Sequence, residues 1–323
     1  MHDANARPSL APLFLAGPTA VGKSAVALAL AGRLGGEIIS VDSMQVYRGL
    51  DLGTAKPLPA ERLLVRHHLL DVVELTDAFD AAQFVRLAGA AVKDIQARGC
   101  VPIFCGGTGL YFQAWLAGLG EAPPADAAVR AELEATPLAG LLVELEHRDP
   151  ETFARIDREN PRRVVRALEV IRLTGKPFSA QRAPWPAHAP HPAPRTFCFS
   201  RAPADLRARI EARVDAMFAA GLVEETRGLL ATGLERNRTA LQAIGYRQVV
   251  EHLRGERGLA ETVALVKTKT WQFARRQGTL FRRQLAAQWI PLAADAEPGD
   301  VALALVARPE LDSAPGASAS SAP

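Results

Sequence analysis

Eight residues near the start of the chain have the types and spacing of a phosphate cradle. Gly17, Pro18, Thr19, Ala20, Val21, Gly22, Lys23 and Ser24 satisfy G-x-x-x-x-G-K-[ST] at every fixed position. Glycines in such a loop let backbone N–H groups turn inward around phosphate oxygens, and the positive end of the following helix reinforces them. Lys23 adds a point charge, and the Ser24 hydroxyl is placed to ligate Mg2+. The flanking sequence agrees. Leu13-Phe14-Leu15-Ala16 is a short apolar strand candidate, and the stretch from Ser24 to Ala31 is a strong helix former. A phosphorylated ligand is expected here, although the loop alone does not say which.

Two further segments belong to the same edge. Glu37-Ile38-Ile39-Ser40-Val41 is strand-like and ends at Asp42. Ligands of open α/β sheets sit at the carboxyl ends of the strands, so Asp42 is expected to face the phosphate loop. Its carboxylate could hold Mg2+ through water or take a proton from a nucleophile. It could equally cap the turn that follows, since Asp-Ser is common turn chemistry. Gly106-Gly107-Thr108-Gly109 follows a third strand candidate, Val101-Pro102-Ile103-Phe104, where backbone can approach a ligand and Thr108 offers a hydroxyl.

The elements that must position these residues alternate. With the helical spacing of residues 81–98, the order is strand, helix, strand, helix, strand, which predicts a parallel sheet with helices on its faces. From residue 121 the texture changes to helices without a convincing strand, followed by a Pro-rich connector at 183–194 and a strand candidate at 195–200. Long helices are predicted over 203–230 and 258–288. The expected organisation is a P-loop NTPase-like α/β core begun by residues 1–120, interrupted by an all-helical insertion at 121–190 and completed with basic helices at 191–291. The Ala/Ser/Pro-rich residues 292–323 read as a disordered tail.

Composition narrows the class. Of 323 residues, 48% are hydrophobic and 23% charged, which excludes wholesale disorder. Cys100, Cys105 and Cys198 form no CxxC pair, so neither a disulfide scaffold nor a structural zinc site is expected. No apolar run has the length of about 18 residues that a membrane span needs, and the first residues lack a secretory pattern. A cytoplasmic monomer is the expectation. The net charge of +3 conceals an asymmetry, because residues 151–290 carry 25 Lys and Arg against 13 Asp and Glu. All but three of those cations are arginine, whose planar fork suits phosphate. A polyanionic partner would explain this, as would arginine replacing lysine on solvated helix faces.

Taken together, several segments resemble the tRNA dimethylallyltransferase (tRNA isopentenyltransferase) family. They are GPTAVGKS at 17–24, DSMQVYRGLDLGTAKP at 42–57, HHLLD at 67–71, GGTGLYFQA at 106–114, RALEV at 166–170, TGKPFS at 174–179 and LQAIGYRQ at 241–248. The resemblance spans roughly residues 12–290. It implies transfer of a dimethylallyl group from dimethylallyl diphosphate to N6 of adenosine 37, immediately 3′ of the anticodon, in tRNAs reading codons that begin with U. A small-molecule P-loop enzyme, either an adenylate isopentenyltransferase or a kinase, is the competing expectation.

The family's site residues carry over as follows. Thr19 resembles the residue that contacts the bridging region of the diphosphate, and Arg213 the arginine that clamps it. Asp42 is the expected general base, and Asp42, Ser43, Met44 and Gln45 line the path of the flipped adenosine. Thr108 and Arg130 are expected to contact RNA. So are Arg162, Arg163, Val164, Val165 and Arg166, together with Gln242, Ala243, Ile244, Gly245, Tyr246 and Arg247. The chain departs from the family at Arg162, where Gln is usual, at Trp271, where Arg is usual, and at Leu280, where Trp is usual. His67 and His68 match a family signature, and a structural hydrogen-bonding role is expected for them.

Overall fold

The computed structural model describes residues 10–181 and 195–312. Six strands are present: β1 Leu13–Ala16, β2 Gly36–Val41, β3 His67–His68, β4 Val101–Gly106, β5 Thr196–Ser200 and β6 Gln288–Pro291. The helices are α1 Lys23–Leu34, α2 Pro59–Leu64, α3 Ala81–Ala97, α4 Gly109–Ala117, α5 Ala127–Ala135, α6 Leu138–Arg148, α7 Pro150–Arg155 and α8 Pro161–Thr174. They continue with α9 Pro203–Ala219, α10 Leu222–Ala231, α11 Tyr246–Leu253, α12 Leu259–Gln284, α13 Pro298–Val306 and α14 Pro309–Asp312. The chain divides into two compact units, Met1–Phe112 with Ala187–Pro323, and Gln113–Pro186.

In the first unit the sheet order is β3-β2-β4-β1-β5-β6, with every pair parallel. The central strands are buried on both faces, so they read as continuous apolar runs instead of alternating ones. Register fixes the working edge. Ala16 pairs with Gly106 and with Cys198, and Val41 also pairs with Gly106. The phosphate loop, Asp42 and Gly107 therefore leave the sheet at one level. The main core, built on Leu15, Leu30, Ile103 and Phe199, lies behind that edge. A second cluster around Tyr47, Leu222 and Tyr246 packs the loop after β2 against α10 and α11.

The second unit is helical. α5, α6 and α8 close around Leu133, Leu141, Leu145, Val164 and Leu168. Pro161 at the first position of α8 and Gly175 at its end, with φ of 68°, delimit that helix. Glu169, 0% exposed, receives the Asp126 amide at 2.9 Å, Arg130 at 2.8 Å and Arg166 at 2.7 Å. A buried carboxylate this deep requires such pairing.

Several expectations need correction. The long helical stretch expected over 203–230 is broken into α9 and α10 where Gly221 turns with φ of 101°. The helix predicted to residue 288 stops at Gln284, and the chain then forms β6. Residues 292–312 do not form a disordered tail. Leu292, Ala302, Leu305 and Leu311 are buried in the main core, with α13 packed on α1. Alanine is a strong helix former whose small side chain allows close packing, so Ala-richness here marks a docked helix. The expected tail residues 313–323 and the Pro-rich connector lie outside the described residues. No helix among those described is long and apolar enough to cross a membrane.

Candidate active site

The loop between β1 and α1 turns into the helix through Gly22, whose φ of 104° is left-handed backbone that a side chain would strain. Its carbonyls are held by side chains. Lys23 Nζ donates to Pro18 O at 3.1 Å, Arg209 Nε to Ala20 O at 3.1 Å and Arg201 Nε to Val21 O at 2.8 Å. Among the described residues, no protein acceptor takes the amides of Ala20, Gly22, Lys23 or Ser24. Such a set of unpaired N–H groups at a helix start is suited to receive an anion.

Positive charge converges on the loop. Arg213, from α9, donates to Thr19 Oγ1 at 3.4 Å. Burial, with Arg209 nearby, lowers the Arg213 pKa. Burial also holds the Lys23 ammonium below its ordinary 10.5; Cys105 and Asp42 oppose that shift and Arg213 adds to it. Two cations held this way are stabilised by an arriving polyanion. Cys105 and Cys198 lie beside Lys23, and burial pushes their thiols up to about 11 and about 12, so both stay neutral. Ser24 is exposed.

Asp42 has the turn role and keeps room for the chemical one. Its Oδ1 accepts the amides of Met44 at 2.8 Å and Gln45 at 3.3 Å. Its Oδ2 has no hydrogen-bond partner among the described residues. Thr108 Oγ1 accepts the Ser43 amide at 3.1 Å, and the amides of Gly107 and Thr108 both donate to Val41 O. Gln45 accepts from Ser40 Oγ at 2.8 Å and donates to Thr54 O at 3.1 Å, bracing the rest of the loop. Met44 packs at the edge of the second cluster. Lys56, buried, ties Tyr47 O, Asp51 and Asp71 together.

The residues expected to meet RNA are not equally accessible. Arg162 and Arg163 project from the first turn of α8, whereas Val164 and Val165 point into the core of the second unit. Arg130 and Arg166 are partly occupied by Glu169. In the 242–247 segment Gln242 and Arg247 are exposed. Ala243, Gly245 and Tyr246 are buried, and Ile244 packs on the main core. His67 and His68 pair with Ile38 and Ile39 in the middle of β2, away from Asp42. His67 Nδ1 bonds Val65 O at 2.7 Å, and His68 Nε2 bonds Glu37 at 2.6 Å, which Arg98 also pairs.

Sequence reasoning missed Arg201, Arg209 and Gln277. Arg209 and Arg213 are spaced i, i+4, a spacing that puts both on one face of α9. Gln277 interrupts a helical stripe of buried Val266, Ala274 and Phe281, and a polar residue at such a position is a signal.

A parallel α/β sheet with this loop at its carboxyl edge defines a phosphate-binding enzyme of the P-loop type. The model of the family described as IPP transferase matches residues 45–284, and the chain belongs to that family. It is 47% identical over 283 residues to tRNA dimethylallyltransferase 1 of Trichlorobacter lovleyi, covering 86% of this chain and 92% of that one. It is 47% identical over 278 residues to tRNA dimethylallyltransferase of Halorhodospira halophila, covering 84% and 90%. The crystal structure of the tRNA isopentenylpyrophosphate transferase of Bacillus halodurans superposes with a TM-score of 0.66 at 35% identity, covering 93% of this chain and 96% of that one. A eukaryotic dimethylallyltransferase acting on tRNA gives 0.68 at 25% identity, covering 88% and 74%.

Proposed function

We propose that the protein transfers the dimethylallyl group of dimethylallyl diphosphate to N6 of adenosine 37 in tRNA and releases diphosphate, acting as a cytoplasmic monomer. The observation that carries this reading is the pairing at one sheet edge of a cationic loop of free amides with a carboxylate whose Oδ2 is unengaged. An exocyclic adenine amine is a weak nucleophile because its lone pair is delocalised, so its proton must leave as the new bond forms. In the step proposed, N6 attacks the allylic carbon and the C–O bond to diphosphate breaks with its electron pair on oxygen. The amine proton passes to Asp42 Oδ2. The amides of Ala20, Gly22, Lys23 and Ser24, with the Lys23 and Arg213 side chains, stabilise the charge growing on the leaving group, with Thr19 at its bridging oxygen.

Magnesium fits this arrangement. Such an ion takes one or two protein oxygens and completes its shell with phosphate and water. The exposed Ser24 hydroxyl and the diphosphate oxygens would hold it. When bound it would offset negative charge on the leaving group. The RNA contacts proposed are Arg162 and Arg163 in the second unit, and Gln242 and Arg247 in the first. The exposed Arg275, Arg276 and Arg283, which line a groove of about 500 Å3 on α12, extend the basic surface of the first unit. Guanidinium groups suit phosphates and splayed bases.

The test is transfer of labelled dimethylallyl diphosphate, with Mg2+, to unmodified tRNA and to AMP in parallel. Label in tRNA with free diphosphate supports the reading. Label only in AMP, or release of inorganic phosphate, overturns it in favour of a small-molecule enzyme.

A further inference from the structure

Gln277 is a buried primary amide on α12, between the buried apolar side chains of Ala274 and Phe281. Burying such a group is costly unless its hydrogen bonds are made. Both are made to backbone at the site. Oε1 accepts the Thr19 amide at 2.8 Å, and Nε2 donates to Gly107 O at 2.9 Å. The fit is close, since a Cβ on Gly107 would lie 2.3 Å from that nitrogen.

The location matters because the sheet ladder ends here. The β1–β4 register stops at Ala16 paired with Gly106, and beyond it the two loops have no ladder between them. Gln277 bridges that gap. On one side, Thr19 meets Arg213 through its hydroxyl. On the other, the chain runs from Gly107 to Thr108, whose Oγ1 holds the Ser43 amide beside Asp42. Five residues thus connect the diphosphate cradle to the carboxylate: Thr19, Gln277, Gly107, Thr108 and Ser43.

We propose that Gln277 is a positioning residue for the transfer reaction, holding the diphosphate loop at a fixed separation from the loop that carries Asp42. This rests on the transfer reading above. The role needs one acceptor and one donor on the same planar group. A protonated carboxyl offers both, whereas a carboxylate offers acceptors only and sets them against Gly107 O. Gln277→Glu therefore acquires a pH dependence that a merely structural role would not produce.

The experiment is single-turnover prenyl transfer to tRNA between about pH 6 and pH 9, with each variant's rate divided by that of the wild type. Ionisations that both proteins share cancel from the ratio. For Gln277→Glu the expected ratio is about one-tenth at the alkaline end, the cost of one misplaced hydrogen bond, rising towards one on acidification. Gln277→Met, which can make neither bond, should give a ratio that is low and flat with pH. For both variants, tRNA affinity should stay within about twofold of the wild type, since this amide faces loops and not solvent. A flat ratio for Gln277→Glu overturns the proposal, as does loss of tRNA affinity in proportion to rate. A wild-type protein that transfers no label overturns the transfer reading and the positioning role together. An active wild type with a flat Gln277→Glu ratio overturns the positioning role alone.

Discussion

Tyr246 donates its hydroxyl hydrogen to Glu225 at 2.5 Å, and the same oxygen accepts the amide of Gly53 at 3.0 Å. Glu225 in turn accepts the amide of Leu52. The ring is 0% exposed. Resemblance placed Tyr246 in an RNA-contacting segment, yet its side chain works inward as a clamp on the loop after Asp42. Tyr246→Phe leaves the Gly53 amide and part of Glu225 unpaired. The expected loss is about 1–3 kcal/mol of stability, with tRNA affinity unchanged at temperatures where the variant is folded. Denaturant titration and filter binding measure the two. Weaker tRNA binding with intact stability would return Tyr246 to the RNA surface.

Lys23 is expected to act on the leaving group. Lys23→Ala should lower turnover by about 10²–10³, the effect of losing one preorganised electrostatic contact, while tRNA affinity is kept. Burial lowers the lysine pKa in the free protein, and a bound diphosphate raises it again. Donor binding in the alkaline range should therefore take up a proton, and affinity should fall as pH rises through the lowered pKa of Lys23. Calorimetry in two buffers of different ionisation enthalpy checks this. Proton release, or binding flat with pH, would contradict the assignment.

Asp42 has two oxygens with separable duties. Asp42→Asn retains an oxygen for the Met44 and Gln45 amides but loses the base, so it should fold normally, bind both substrates and stall the chemical step. Asp42→Ala loses both duties and should also be less stable, by about 1 kcal/mol for the abandoned turn bonds. Thermal melts set beside single-turnover rates distinguish the two. A normal rate for Asp42→Asn would remove it from proton transfer.

Arg163 is exposed and carries no ion pair among the described residues. If it meets a tRNA phosphate, Arg163→Ala should reduce the slope of log affinity against log salt by about one contact. An unchanged slope would assign it to the solvated face of α8.

The parallel sheet, the glycine loop after β1 and the place of Asp42 after β2 were legible because each rests on local pattern. Apolar runs bounded by glycine mark buried strands, and parallel topology then fixes which ends meet. The two-residue strand at His67 and the edge strand β6 were not, since neither carries enough periodicity to separate it from a loop. Accessibility within motifs was hidden too. A contiguous stretch such as 162–166 winds around a helix, so Arg163 meets water while Val164 and Val165 enter the core. Gln277, Arg201 and Arg209 come from elements distant in sequence from the loop they touch, and spacing alone could not aim them at it.

The docking of α13 on α1 bears on how the protein is born. β5, β6 and α13 all complete the core around β1 and the helix that Lys23 begins. On the ribosome, the contiguous segment 113–186 has its own apolar cluster and can close as soon as it emerges. The nucleating strand of the first unit, synthesised before it, must wait with one flank uncovered until β5, β6 and α13 have followed. The unit that carries the phosphate loop is thus begun before the helical unit and completed after it.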